Sequence, residues 1–144
     1  MISKASNAKS ENGQAMVEFA IVAPLLLVLV FGIIQFGIVF NHYMTLTDAV
    51  RAGARQAAVS RVLPDPAAAA ESRVRSAAAG SLKDANDTSA LVVTVTPYDP
   101  ASGQAKFAQG GDVTVTATYP FTINLLGFVV GGGRLTSKTT ERVE

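Results

Sequence analysis

From Phe19 to Thr47 the chain runs for 29 residues without an Asp, Glu, Lys or Arg. Nothing else in the sequence restricts its folding as much. Within that stretch, Phe19 to Phe40 is 22 residues broken only by Pro24, Gly32, Gln35 and Gly37. As a helix rising about 1.5 Å per residue it reaches about 33 Å, against about 30 Å of hydrocarbon in a bilayer. A helix buried in a soluble core is one competing reading, but such helices rarely stay apolar for so long. A cleaved secretory signal is another, with Lys4 and Lys9 as its basic region and Ala52-Gly53-Ala54 as a small-residue cleavage site. Signal cores run about 7–15 residues, and the triplet lies well beyond the apolar run. The stretch reads as one membrane-spanning helix.

The hydrophobic content is 49%, and its excess over an ordinary soluble domain sits almost wholly in that block. The residues after it are enough for one small soluble body with a modest core. The chain has no cysteine, so disulfides, thiolate metal sites, a cysteine nucleophile and a cysteine-linked lipid anchor are excluded. A net charge of +1, with no basic run or aromatic-interleaved patch, gives no reason to expect nucleic acid. Orientation is not set by charge. Lys4 and Lys9 precede the span while Arg51 and Arg55 follow it, a tie under the positive-inside rule. The absence of Lys and Arg between Asn41 and Val50 leans toward an N-terminus inside.

Past the membrane the helix is expected to continue, because Tyr43, Leu46, Val50, Ala54 and Ala57 recur at spacings of three and four. Asp48 can pair with Arg51 across one turn or, two turns on, with Arg55. Ala49, Gly53, Ala57 and Ala58 leave room for a closely packed neighbour. Pro64-Asp65-Pro66 closes this helix and opens another, with Asp65 as N-cap and Pro66 at the first helical position. That second helix runs Ala67 to Ala79 and ends at Gly80. The period then changes from helical to alternating. Leu91, Val93 and Val95 alternate with Val92, Thr94 and Thr96, and Val113, Val115, Ala117 and Tyr119 alternate with threonines. Both read as half-buried strands, joined by the stretch from Pro97 to Gly111. Leu135 to Val143 reads as a polar third strand at an edge. Phe121 to Val130 is apolar and either caps the core or forms an exposed patch for neighbouring subunits or lipid. Gly131-Gly132-Gly133 lacks the Lys-Ser/Thr of a phosphate loop and reads as a hinge or turn. The expected fold class is α+β, a long transmembrane helix extended into a soluble domain with a second helix and a small antiparallel sheet.

Catalytic chemistry is not indicated. His42 is the only histidine and sits where the helix leaves the bilayer, as an interfacial residue does. Zinc and copper sites lack ligands. Asp84, Asn86 and Thr88 imitate the start of a calcium loop, but Ser89 replaces the required glycine and Val95 the required glutamate. Asp99 and Asp112 have no partner base. The chain is expected to be neither an enzyme nor a cofactor binder.

Glu18 is the anomaly. A carboxylate at the head of an apolar span is costly when taken toward hydrocarbon, about 2.5–3.5 kcal/mol at a helix centre and less at its edge. It either sits at the interface and complements the helix N-terminus or meets a positive partner that the local sequence does not supply. Gln35, inside the span, can hydrogen-bond across helices or to its own backbone. Pro24 removes one helix hydrogen bond, which membranes tolerate as a kink. Arg51 and Arg55 form either a solvated face or a partner contact. Gly32 and Gly37 do not make a GxxxG motif.

Gly13-Gln14-Ala15-Met16-Val17-Glu18-Phe19, behind a Lys-bearing leader and ahead of a long apolar helix, resembles a prepilin processing site. The runs Ala23-Pro24-Leu25-Leu26-Leu27 and Asp48-Ala49-Val50-Arg51-Ala52-Gly53-Ala54-Arg55 are similar to those of TadE-like pseudopilins of tight-adherence (Tad/Flp) pilus systems, over about residues 10 to 60. The general type IV pattern has Phe directly after the cleaved glycine. Gln14 stands there instead, which points to the Tad branch.

The resemblance implies cleavage between Gly13 and Gln14 by a membrane prepilin peptidase, with Gln14, Glu18 and Phe19 completing the processing site. It divides the chain into a leader (1–13), a transmembrane helix with its extension (14–61) and an extracytoplasmic α+β domain (62–144). The N-terminus is then cytoplasmic, and the domain lies outside the bacterial inner membrane. Implied partners are the peptidase, membrane lipid, the inner-membrane Tad assembly platform and other pilins or pseudopilins, including a TadF-like sibling. Glu18, Pro24, Gln35, Arg51 and Arg55 are the candidate subunit contacts. The implied role is that of a minor pilin in pilus assembly, secretion, adhesion and biofilm formation. The alternative is a signal-anchored envelope module that binds or senses something unrelated to pili.

Overall fold

The computed structural model describes residues 5–125 and 127–144, with side chains from Gly13 onward. Lys4 and the side chain of Lys9, both of the expected leader, lie outside the described residues. The elements in chain order are α1 (Ala5–Val59), α2 (Pro66–Ala78), β1 (Val92–Tyr98), β2 (Asp112–Leu125) and β3 (Phe128–Arg142). The fold is α+β. Helix α1 is 55 residues long, about 80 Å at the usual rise, and it continues through Pro24.

The C-terminal third of α1 is the centre of the domain. Leu46, Ala49, Val50, Ala54, Ala57 and Ala58 are buried, a stripe at spacings of three and four. Tyr43, expected to head this stripe, is exposed instead. Gly53 belongs to the same stripe, and a Cβ there would run into Cγ2 of Val74 and stand 3.1 Å from the Ala70 carbonyl oxygen. Helix α2 crosses at this point and buries Ala70, Val74 and Ala78. The helix ends at Val59 where Ser60, itself buried, turns its hydroxyl back to donate to the Gln56 carbonyl at 2.5 Å. Asp65 then caps α2 by accepting the Ala68 N–H at 2.9 Å. The far end of α2 differs from the glycine-terminated helix expected. Ala79 is the C-cap in right-handed conformation, its N–H donating to the Arg75 carbonyl, and Gly80 has no left-handed φ.

The three strands form one antiparallel sheet in the order β1-β2-β3. Val113, Val115, Ala117 and Tyr119 point inward and are buried, as alternation requires. Pro97 sits in edge strand β1, where a missing N–H is tolerated. Threonines line the other face, with Thr114 and Thr140 hydroxyls 2.8 Å apart across the strands.

The largest departure from the sequence reading is at the far end of the sheet. Phe121 to Leu125 and Phe128 to Val130 do not cap the core; Phe128, Val129 and Val130 are exposed, as the alternative reading of a contact patch has it. The two segments extend β2 and β3 into a long hairpin, with Leu125 opposite Phe128. The triple glycine is strand too, paired to Ile123, Thr122 and Phe121. A Cβ on Gly132 would stand 2.8 Å from the Phe121 carbonyl oxygen, and one on Gly133 3.2 Å from the Phe121 ring. The glycines let strand and ring lie together, so the run is a close-approach site and not a hinge. The turn of the hairpin passes through Gly127 at a φ of 91°, a conformation that favours glycine.

Candidate functional site on the long helix

The candidate residues lie along α1 and not around a pocket. Glu18 and Arg51 are about 50 Å apart along the axis at about 1.5 Å per residue. Any site they make is a set of separate contacts that neighbouring molecules address at different heights.

At the N-terminal end, Gln14 and Glu18 face one another across one turn, and the Gln14 side-chain amide donates to Glu18 at 3.2 Å. The carboxylate therefore has a neutral partner, which the sequence reading did not identify, and both residues are exposed. Gly13 has open space around its Cα, and Phe19 is exposed.

Beyond Glu18 the apolar run stands away from the domain. The most apolar window of α1, long and greasy enough to cross a membrane, has no buried residue. A soluble core helix would be covered, so that competing reading fails. The signal-peptide reading fails on continuity. Cleavage at Ala52-Gly53-Ala54 would cut α1 inside the buried stripe and remove Leu46, Ala49 and Val50 from the core. One long apolar N-terminal helix of this kind is a single-pass membrane anchor.

Pro24 lies in the exposed part of the run. Gln35 is half-buried, and its side-chain carbonyl accepts the backbone N–H of Asn124 in the hairpin at 3.5 Å. Neither of the two partners expected for it, another helix or its own backbone, is the one observed. Two turns further on, His42 packs edge-to-face on Tyr119 with ring centroids 5.8 Å apart. Tyr119 donates its hydroxyl to the Lys83 carbonyl at 3.1 Å. Burial, and secondarily the charge of Asp84, push the pKa of the Tyr119 phenol above its ordinary value.

Arg51 and Arg55 are exposed on the side of α1 away from the buried stripe. Arg51 pairs with Asp48 at 3.4 Å, and Arg55 does not join them. It lines a shallow cleft with Gln56, Val59 and Arg73. Surface pairs of this kind contribute little to stability, which leaves both guanidinium groups free for a partner.

Arg75 was not singled out from sequence. It donates to Glu71 at 2.7 Å and to the Ala85 carbonyl at 3.0 Å, tying the segment after α2 to the helix. The Glu71–Arg75 spacing of four was the available signal. Asp99 likewise proves to be a turn residue. It accepts from the Ser102 hydroxyl at 2.6 Å and the Ala101 N–H at 2.9 Å, and these bonds hold its carboxyl below the usual range. Asp87 is lowered the same way by the N–H and hydroxyl of Ser89.

Residues 13–55 match the family model described as TadE-like protein. No curated protein and no solved structure matches the chain. The matched residues run from the glycine ahead of Glu18, through the whole exposed apolar run, to Arg55 in the buried-stripe part of α1. Over residues 13–55, about the first third of the chain, the protein is similar to TadE-like proteins.

Proposed function

We propose that the chain is a minor pilin, or pseudopilin, of a Tad pilus assembly and secretion machine, acting as a structural part and not as an enzyme. The observation that carries this is a single acidic residue, Glu18, five residues past Gly13 at the head of an uncovered apolar helix, inside the TadE-like match. In this reading a prepilin peptidase cuts after Gly13 on the cytoplasmic side of the inner membrane. The leader 1–13 leaves with two lysines and one glutamate, and the mature chain carries equal numbers of acidic and basic side chains. Gln14 becomes the new amino terminus. Residues 14–61 then anchor the chain, and 62–144 form the domain outside, which contacts other pilins and the assembly platform and supports adhesion.

Glu18 has a physical role in that assembly. Helices staggered along a filament bring one subunit's free amine near another's Glu18. In a poorly screened apolar surround the correct pairing is strongly attractive and a mismatch is costly. Such a pair specifies register more than it adds stability. The Gln14 amide already beside the carboxylate holds it in place until that amine arrives. The test is Glu18→Ala in a piliated cell. Co-purification with sister subunits and piliation should fall while the level of membrane-inserted protein holds. Normal processing, co-purification and piliation together would refute the role.

A further inference from the structure

We propose that the β2–β3 hairpin tip, with Leu125 on one strand and Phe128, Val129 and Val130 on the other, is a second membrane contact that dips into the outer face of the bilayer beside α1. This rests on α1 being the membrane anchor and adds a lipid-binding surface on the soluble domain. From Val113 to Gly133 the sequence holds no charged residue, and the tip is strongly exposed: Phe128 75%, Val129 68% and Val130 58%. A contiguous apolar patch at the end of a hairpin needs a partner. Its height identifies the partner. The sheet's inner face tracks down α1, with Tyr119 on His42 and Phe121 beside Ile38 and Val39. It reaches Gln35, which receives the Asn124 N–H. Gln35 lies five residues inside the apolar run that ends at Phe40, so Asn124 sits about 7–8 Å below that end at about 1.5 Å per residue. Amphipathic elements that lie in a membrane surface bury their apolar face about 5–10 Å, which agrees.

Two further features fit that depth. The tip cannot go far into hydrocarbon, because open strand edges are not tolerated there. Strand β1 pairs with β2 only as far as Thr118, so beyond that the outer edge of β2 has no strand neighbour. Gln35 supplies one acceptor to that edge from within the apolar run, which accounts for a polar side chain at that position. Above the tip, Lys83 lines the cleft with His42, Tyr119 and Pro120, and the exposed Arg134 is paired with Pro120. Two cations thus stand at headgroup height, with Asp84 the nearby acid, in the arrangement that interfacial basic and aromatic residues adopt.

The chain's lack of cysteine makes the test direct. Single cysteines from Phe128→Cys, Val129→Cys, Leu29→Cys and Ser76→Cys in the full chain carry an environment-sensitive fluorophore in phosphatidylcholine–phosphatidylglycerol vesicles. Both hairpin labels should lose most of their emission to lipids bearing a nitroxide near the top of the acyl chain. The Leu29 label should lose it to deeper nitroxides, and the Ser76 label only to aqueous iodide. Leu29 quenched by lipid with the hairpin labels quenched only by iodide overturns the proposal and leaves the anchor standing. Leu29 untouched by any lipid quencher overturns both. Hairpin labels shielded from lipid and iodide alike, and uncovered on dilution, would mean that a second copy covers the tip, which also overturns it.

Discussion

Gly53 is the residue on which the helix pair turns. With Val74 against its Cα and the Ala70 carbonyl close behind, an added methyl group has nowhere to go without parting α1 from α2. Gly53→Ala should destabilise the detergent-solubilised chain by about 1–3 kcal/mol, as overpacking does. Adding Val74→Ala should recover part of the loss in chemical denaturation. Leu46, fully buried, fails in the opposite sense: Leu46→Ala leaves a void and should cost about 2–5 kcal/mol. Asp99 and Asp87 give the loops a pH signature. Both carboxyls are held below their usual range by hydrogen bonds to the charged form. A group lowered on folding contributes stability above its unfolded value, and that stability is lost as pH falls through the lower folded value. The protection factors of the Ala101 and Ser89 amides, with the intrinsic exchange rate divided out, should therefore be steady at neutral pH and fall only on the acid side, below about pH 4. Asp99→Asn should flatten that dependence at Ala101 alone.

Among the elements, those whose character is set by local pattern were legible in the sequence. The apolar run is too long for a core, the stripe from Leu46 to Ala58 has helical spacing, and Asp65-Pro66 writes a helix start in two residues. Asp65→Ala should accordingly cost about 0.5–2 kcal/mol, read by thermal unfolding, because it orphans the Ala68 N–H. The inner faces of β1 and β2 followed from alternation. The hairpin did not. Phe121, Ile123 and Leu125 do alternate with Thr122 and Asn124, but the alternation stops at Leu126, and Phe128-Val129-Val130 followed by three glycines carries no period-two signal for the returning strand. Glycines in succession read as a turn on any local rule, and only the Phe121 backbone and ring opposite explain them as strand. The Gln35–Asn124 contact was equally hidden, since it joins residues far apart in sequence. Glu18 and Gly13 were legible as chemistry, yet the Gln14 amide beside Glu18 depended on a helical turn that spacing allowed without requiring.

At the scale of the whole molecule, one helix performs two tasks that demand opposite surfaces. The run from Phe19 to Phe40 is apolar and stands clear of the domain, and the last third of the helix is the core around which α2 and the sheet pack. Because α1 is continuous, the anchor and the domain move as one rod, and a contact made near Glu18 fixes the height and rotation of everything beyond it. Register at the membrane end and presentation of the domain are thus a single variable. The proposed account depends on the chain acquiring a new amino terminus beside that carboxylate. The most direct measurement is the N-terminal residue of protein extracted from membranes of cells that hold a prepilin peptidase. The account requires a start at Gln14, with the same chain uncut in cells lacking the peptidase. A retained Met1 in cells able to remove the leader would contradict it.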